Sequence, residues 1–107
     1  DLTLGENIAD LGGVSIALEA LERRLERTPE MRKPIDGFTP EQRFFIGWAQ
    51  SWREKDREEF LRWLVSSNPH SPSRIRASVP AVANENFDRI FKISGTHINK
   101  IRKVGLW

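Results

Sequence analysis

Leu4, Ile8, Leu11, Val14, Leu18, Leu21 and Leu25 recur at alternating three- and four-residue steps over the first quarter of the chain. No other feature constrains the fold as tightly. The spacing places the seven side chains on one stripe of an α-helix running from near Leu4 to Arg27, and a stripe of that kind has to be buried against other elements. Glu19, Glu22, Arg23, Glu26 and Arg27 fall on the opposite, solvated side, with Glu19 and Arg23 at a favourable i,i+4 spacing. Glu6 and Asp10 are also four apart, so they project from one side as two stacked carboxylates. Gly13 and Ala17 continue that line, and their lack of bulk predicts close approach by a neighbouring helix, or a kink at Gly12 and Gly13.

The rest of the chain repeats the helical period. Thr28-Pro29 ends the first helix, and the segment through Pro34 and Asp36-Gly37 reads as a loop. Thr39-Pro40-Glu41-Gln42 is a helix start, with Thr39 as N-cap, Pro40 in the first turn and Gln42 closing a capping box. Phe44, Trp48 and Trp52 then form an aromatic stripe expected to pack against the first helix. Asp56-Arg57-Glu58-Glu59 repeats the capping pattern before Phe60, Leu61, Trp63 and Leu64, and Ser66-Ser67-Asn68-Pro69 stops that helix. Arg74 to Val82 is the least periodic part and reads as extended. A short helix follows from about Val82 to Lys92, with Gly95 as its end, and the tail carrying Ile98, Ile101, Val104 and Leu106 packs back on the body. Apolar residues at intervals of two are missing, so the expected fold is all-α, a small bundle of about four helices.

Composition bounds the functional classes. With 38% hydrophobic and 30% charged residues, six Phe and four Trp, the 107-residue chain is globular and about one domain. The formal charge is only +2 and basic and acidic residues are mixed, which makes nucleic acid a poor partner despite a pI near 9.4. Arg74, Arg76 and Lys100 to Lys103 are the local exceptions. No run of about 18 apolar residues exists, so no membrane segment is expected within the chain. There are no cysteines, which excludes disulfides and thiolate metal sites.

Residues 4–13, LGENIADLGG, resemble the Glu-x-x-x-Asp zinc motif of the neprilysin-like (M13) metallopeptidases, a group that includes endothelin-converting enzymes and bacterial oligopeptidases. A second match is His70-Ser71-Pro72-x-x-x-Arg76, in a loop where Pro69 and Pro72 present the imidazole. Phe44-Phe45, Ala49-Gln50-x-Trp52 and the terminal Trp107 extend the likeness. The resemblance implies Zn2+ as cofactor, Glu6 as its third protein ligand, and Asp10 orienting a zinc-binding histidine. It further implies His70 as a donor to the oxyanion and Arg76 as a clamp on a substrate carbonyl. Such an oxyanion donor is worth about 3–4 kcal/mol of transition-state stabilisation. The implied His-Glu-x-x-His helix is absent, since the only histidines are His70 and His97, and His97 reads as an exposed bystander.

The expectation is therefore a C-terminal piece of a zinc endopeptidase, part of the larger helical catalytic lobe of a zincin-type enzyme, inactive alone and binding zinc weakly. Its partners would be peptide substrates and the missing upstream part of the same polypeptide, with self-association of the piece through an uncovered apolar face. Animal members are disulfide-bonded, so the absence of cysteine favours a bacterial relative, in the cell envelope, secreted or cytoplasmic; the family's cysteine near the end has no counterpart in Lys103 to Leu106. The competing reading is a stand-alone helical binding or assembly module that keeps the scaffold without catalysis, for which a start codon just before Asp1 would speak.

Overall fold

The computed structural model describes residues 2–94. Gly95, His97, the tail from Ile98 to Leu106 and the basic run at Lys100 to Lys103 lie outside the described residues. Within them the chain is all-α: α1 (Leu4–Arg27), α2 (Pro40–Ser51), α3 (Glu58–Ser67), α4 (Ser73–Ala83) and the short α5 (Phe87–Phe91). A single 3-10 turn, Pro29–Arg32, follows α1. Asp36 and Gly37 both take positive φ, 51° and 79°, and close a two-residue turn in which Ile35 and Phe38 exchange backbone hydrogen bonds. A turn with both central residues left-handed favours an Asp-Gly pair, because glycine meets no steric penalty there.

The stripe on α1 is not buried along its first turn and a half. Val14, Leu18 and Leu25 are fully covered, whereas Leu4 and Ile8 are 54% and 50% exposed, which corrects the expectation of a stripe buried along its whole length. Val14 and Leu18 meet Phe45 of α2, Ala81 of α4 and Ile90 of α5, with Phe44, Trp48, Phe87 and Phe91 packed around them. Phe45 sits edge-on to Phe87, ring centres 5.2 Å apart, an arrangement that sets a positive ring edge against a negative face. Gly13 also differs from expectation: a Cβ built there meets nothing within 4 Å, so no neighbouring helix approaches it closely.

At α2 the expected start is present in full. Thr39 accepts from Gln42 N, and the Gln42 side chain accepts from Thr39 N at 3.0 Å. Gln42 Nε2 also donates to the Ile90 carbonyl, so the capping residue ties α2 to α5. By contrast, α3 begins at Glu58 with no side-chain cap, and the capping box read at Asp56 does not form. Its Phe60 and Trp63 stack at 5.7 Å on an exposed face.

The segment read as extended, Arg74 to Val82, is instead the helix α4. Its buried face is made of Pro80, Ala81 and Ala83, residues too small to give an apolar rhythm in sequence, although alanine is the strongest helix former. The helix read as Val82 to Lys92 is in fact split. Asn84, 5% exposed, accepts from Asn86 N through its side chain, and this local turn separates α4 from α5. Lys92, at φ 54°, ends α5.

Two substitutions check this packing by urea unfolding of the chain. Leu18→Ala lowers stability by about 2–5 kcal/mol, because it empties a fully buried site. Gly13→Ala raises it by about 0.5–1 kcal/mol, since the added methyl enters open space and the helix gains propensity; a loss on Gly13→Ala would show that the space is not open.

Candidate active site

The first turns of α1 carry Glu6 and Asp10 on one side, and each carboxylate meets a residue from the far end of the described chain. Asp10 accepts two hydrogen bonds from Arg76, from Nε at 2.7 Å and from an Nη at 2.8 Å. The pair is bidentate, a strong form of carboxylate recognition, and both side chains are largely covered, at 18% and 11% exposure. Glu6 meets His70, with Nε2 and Oε2 3.2 Å apart, and this pair is more open. All four residues singled out in the sequence thus come together in one cluster between α1 and the start of α4.

Local chemistry holds the histidine loop. Asn68 Oδ1 accepts from His70 backbone N at 2.8 Å and lies 3.0 Å from His70 Nδ1. Both ring nitrogens therefore face oxygen atoms. Ser71 Oγ donates to Asn7 Oδ1 at 2.7 Å, which fastens the loop to α1 beside Glu6. At the start of α4 the Pro72 carbonyl accepts from Ile75 N and Arg76 N, so the proline that presents the loop also opens the helix.

Arg76 is held on more than one side. Its guanidinium lies over the Trp52 ring, 4.0 Å from the centre, while Asp10 binds its edge. The hydrogen bond from Arg76 to Asp10 raises its pKa above the already high arginine range; burial acts the other way, and the charges of Asp10 and Glu6 reinforce the rise. A raised cation pKa means that protonation of Arg76 favours the folded state, a contribution lost as pH rises through the arginine range, well above neutral. Trp52 was expected to be core against α1; it serves instead as the floor under Arg76, with Trp48 edge-on to it at 5.5 Å. Beside the cluster opens a groove of about 260 Å³ lined by Trp52, Phe60, Leu64, His70 and Arg76 among others.

Asn7, Asn68 and Trp52 join the site without having been read from the sequence as part of it. Asn68 carried a signal, since an Asn two residues before another backbone N–H commonly closes a local turn. Trp52 carried none that separated it from core spacing. Among the described residues no group of three His, Cys, Asp or Glu side chains is placed to hold a metal ion. Glu6 with His70 supplies one carboxylate and one imidazole, fewer than the three protein ligands of a catalytic zinc.

The family model of peptidase family M13 matches residues 1–103, nearly the whole chain. The chain belongs to peptidase family M13. Among curated M13 relatives it is 38% identical to neprilysin-1 of Trittame loki and 35% identical to the human endothelin-converting enzyme-like 1, in each case over 98% of its length. It is likewise 35% identical to a neutral endopeptidase of Lactococcus lactis over 89% of its length. The chain spans only 16%, 14% and 13% of these three relatives. No solved structure matches it, and no described helix is long and apolar enough to cross a membrane.

The two ion pairs differ in burial, and that difference is measurable in the M13 chain. Asp10→Asn leaves the covered Arg76 guanidinium without its anion and lowers stability by about 1–3 kcal/mol. Glu6→Gln, in a pair that is 43–45% exposed, changes it by less than about 1 kcal/mol. Urea unfolding of both variants checks the ranking, and equal losses would contradict it.

Proposed function

We propose that the whole protein is a zinc-dependent endopeptidase hydrolysing peptides, and that this chain supplies part of its helical catalytic lobe. The observation that carries the reading is the convergence of Glu6 and Asp10 with His70 and Arg76, the latter two from more than 60 positions away, in a member of a peptidase family. Glu6 is one zinc ligand; the other two, and the general base, come from outside this chain. Zinc, where three ligands hold it, brings the pKa of a bound water to about 7.

The remaining roles are those that the family likeness implies, and the donor inventory is compatible with them. His70, whose Nε2 lies 3.2 Å from the Glu6 carboxylate, is the donor to the oxyanion of peptide hydrolysis. Arg76 spends two of its five N–H donors on Asp10 and keeps the others for a substrate carbonyl. Asp10 orients Arg76 directly. Its two oxygens offer about four acceptor sites, which leaves room for a ring N–H of a zinc-binding histidine. The groove beside Trp52, His70 and Arg76 is where the peptide would lie. Leu4, Ile8 and Ile16, exposed on α1, are the surface that the rest of the polypeptide would cover, and the isolated chain would self-associate through them.

In the whole protein, His70→Phe lowers kcat about 10²- to 10³-fold, the loss typical of a missing oxyanion donor. Glu6→Gln and a chelator each abolish turnover of a peptide substrate, and the 107-residue chain alone turns over none. Chelator-insensitive hydrolysis by the whole protein, or zinc-dependent hydrolysis by this chain alone, would overturn the proposal.

A further inference from the structure

Arg76 occupies a helical position whose usual partner is missing. In an α-helix the carbonyl of residue i accepts from the N–H of residue i+4, and four residues after Arg76 stands Pro80, inside α4, which has no N–H to give. The Arg76 carbonyl is nevertheless engaged. Trp48 Nε1 donates to it at 2.9 Å, reaching across from α2. Trp48 is thus joined to Arg76 twice over: through its own N–H to the backbone, and through its edge contact with Trp52, whose ring underlies the guanidinium.

We propose that Trp48 is a positioning residue for Arg76, its indole N–H taking the carbonyl that Pro80 leaves without a helical donor and so fixing the turn from which the guanidinium is aimed. A proline inside a helix normally frees the preceding turn to bend, because the missing bond and the ring both loosen it. Here the loosened turn carries the residue whose side chain must meet Asp10 edge-on within hydrogen-bond distance. A backbone shift of about 1 Å at Arg76 is enough to spoil a two-point match, since hydrogen bonds weaken steeply with misalignment. Packing alone does not account for the contact. A phenylalanine at 48 would fill most of the same space against the core, but it has no N–H. The fixing of Arg76 stands on the geometry; its meaning for peptide binding rests on the endopeptidase reading above.

The test is the hydrogen-exchange rate of the Arg76 Nε–H, read by NMR in the chain and in Trp48→Phe, Pro80→Ala and the double variant. Trp48→Phe accelerates exchange at Arg76 by about fivefold, the factor expected for loss of one net hydrogen bond, while the arginines of the surface pairs at Arg23 and Arg62 keep their rates. Pro80→Ala restores an N–H four residues on, so in that background Trp48→Phe changes the Arg76 rate by less than about twofold. Unchanged exchange at Arg76 in Trp48→Phe, acceleration spread equally over all arginines, or no rescue by Pro80→Ala would overturn the proposal. In the whole protein Trp48→Phe raises KM for a peptide several-fold with kcat little changed; a normal KM despite faster exchange would sink the role in substrate holding. If the whole protein cleaves no peptide, the endopeptidase reading fails, and the exchange rates still decide the role of Trp48.

Discussion

Asp10 and Arg76 stand 66 positions apart in sequence, and their two parallel hydrogen bonds join the first turns of α1 to the first turns of α4. Much of the rest of the site depends on that join. Once Asp10 is fixed, Glu6 one turn away on the same helix faces the loop before α4, and His70 reaches it. The join is made in partial shelter from water, where a charge-assisted bidentate pair is oriented as well as attractive. Removing one partner would leave a covered charge without its counter-ion, which is why the pair constrains the fold rather than merely decorating it.

The helix α4 answers to two demands. It must come close to α1, and its small buried residues Ala81 and Ala83 permit this. It must also hold Arg76 steady although Pro80 interrupts its bonding, and two tryptophans supply what the helix lacks, Trp48 of α2 at the backbone and Trp52, just past the end of α2, beneath the side chain. Aromatic residues at helical spacing therefore divide their duties. Phe45 enters the core with Val14 and Leu18, while Trp48, packed against that core, also turns its N–H to the Arg76 carbonyl. Where α1 passes beyond this core, Leu4 and Ile8 remain uncovered.

Much of this was legible in the sequence because it is local. The bounds of α1, the Thr39 cap with its Gln42 return bond and the stop at Ser67 each rest on residues within a few positions of one another. The four candidate residues, which the structure brings together, were picked out for a different reason, the likeness of two short motifs to those of a known family. What failed was not local. Alanine and proline in α4 hide a helix whose buried face is set by its neighbour, and the exposure of Leu4 and Ile8 depends on what lies beside α1 rather than on its own period. The pairing of Asp10 with Arg76 had no sequence signal either, since a carboxylate does not specify which cation will reach it.

The central claim is that this chain carries one portion of a metallopeptidase site, ordered by its own ion pairs and short of the ligands that zinc needs. Calorimetric titration of zinc into the metal-free chain tests it most directly. With Glu6 as the one assigned ligand and no described group of three, the account predicts no tight one-to-one binding. Tight stoichiometric binding that disappears in Glu6→Gln would contradict it, and would mean that the chain completes a metal site by itself.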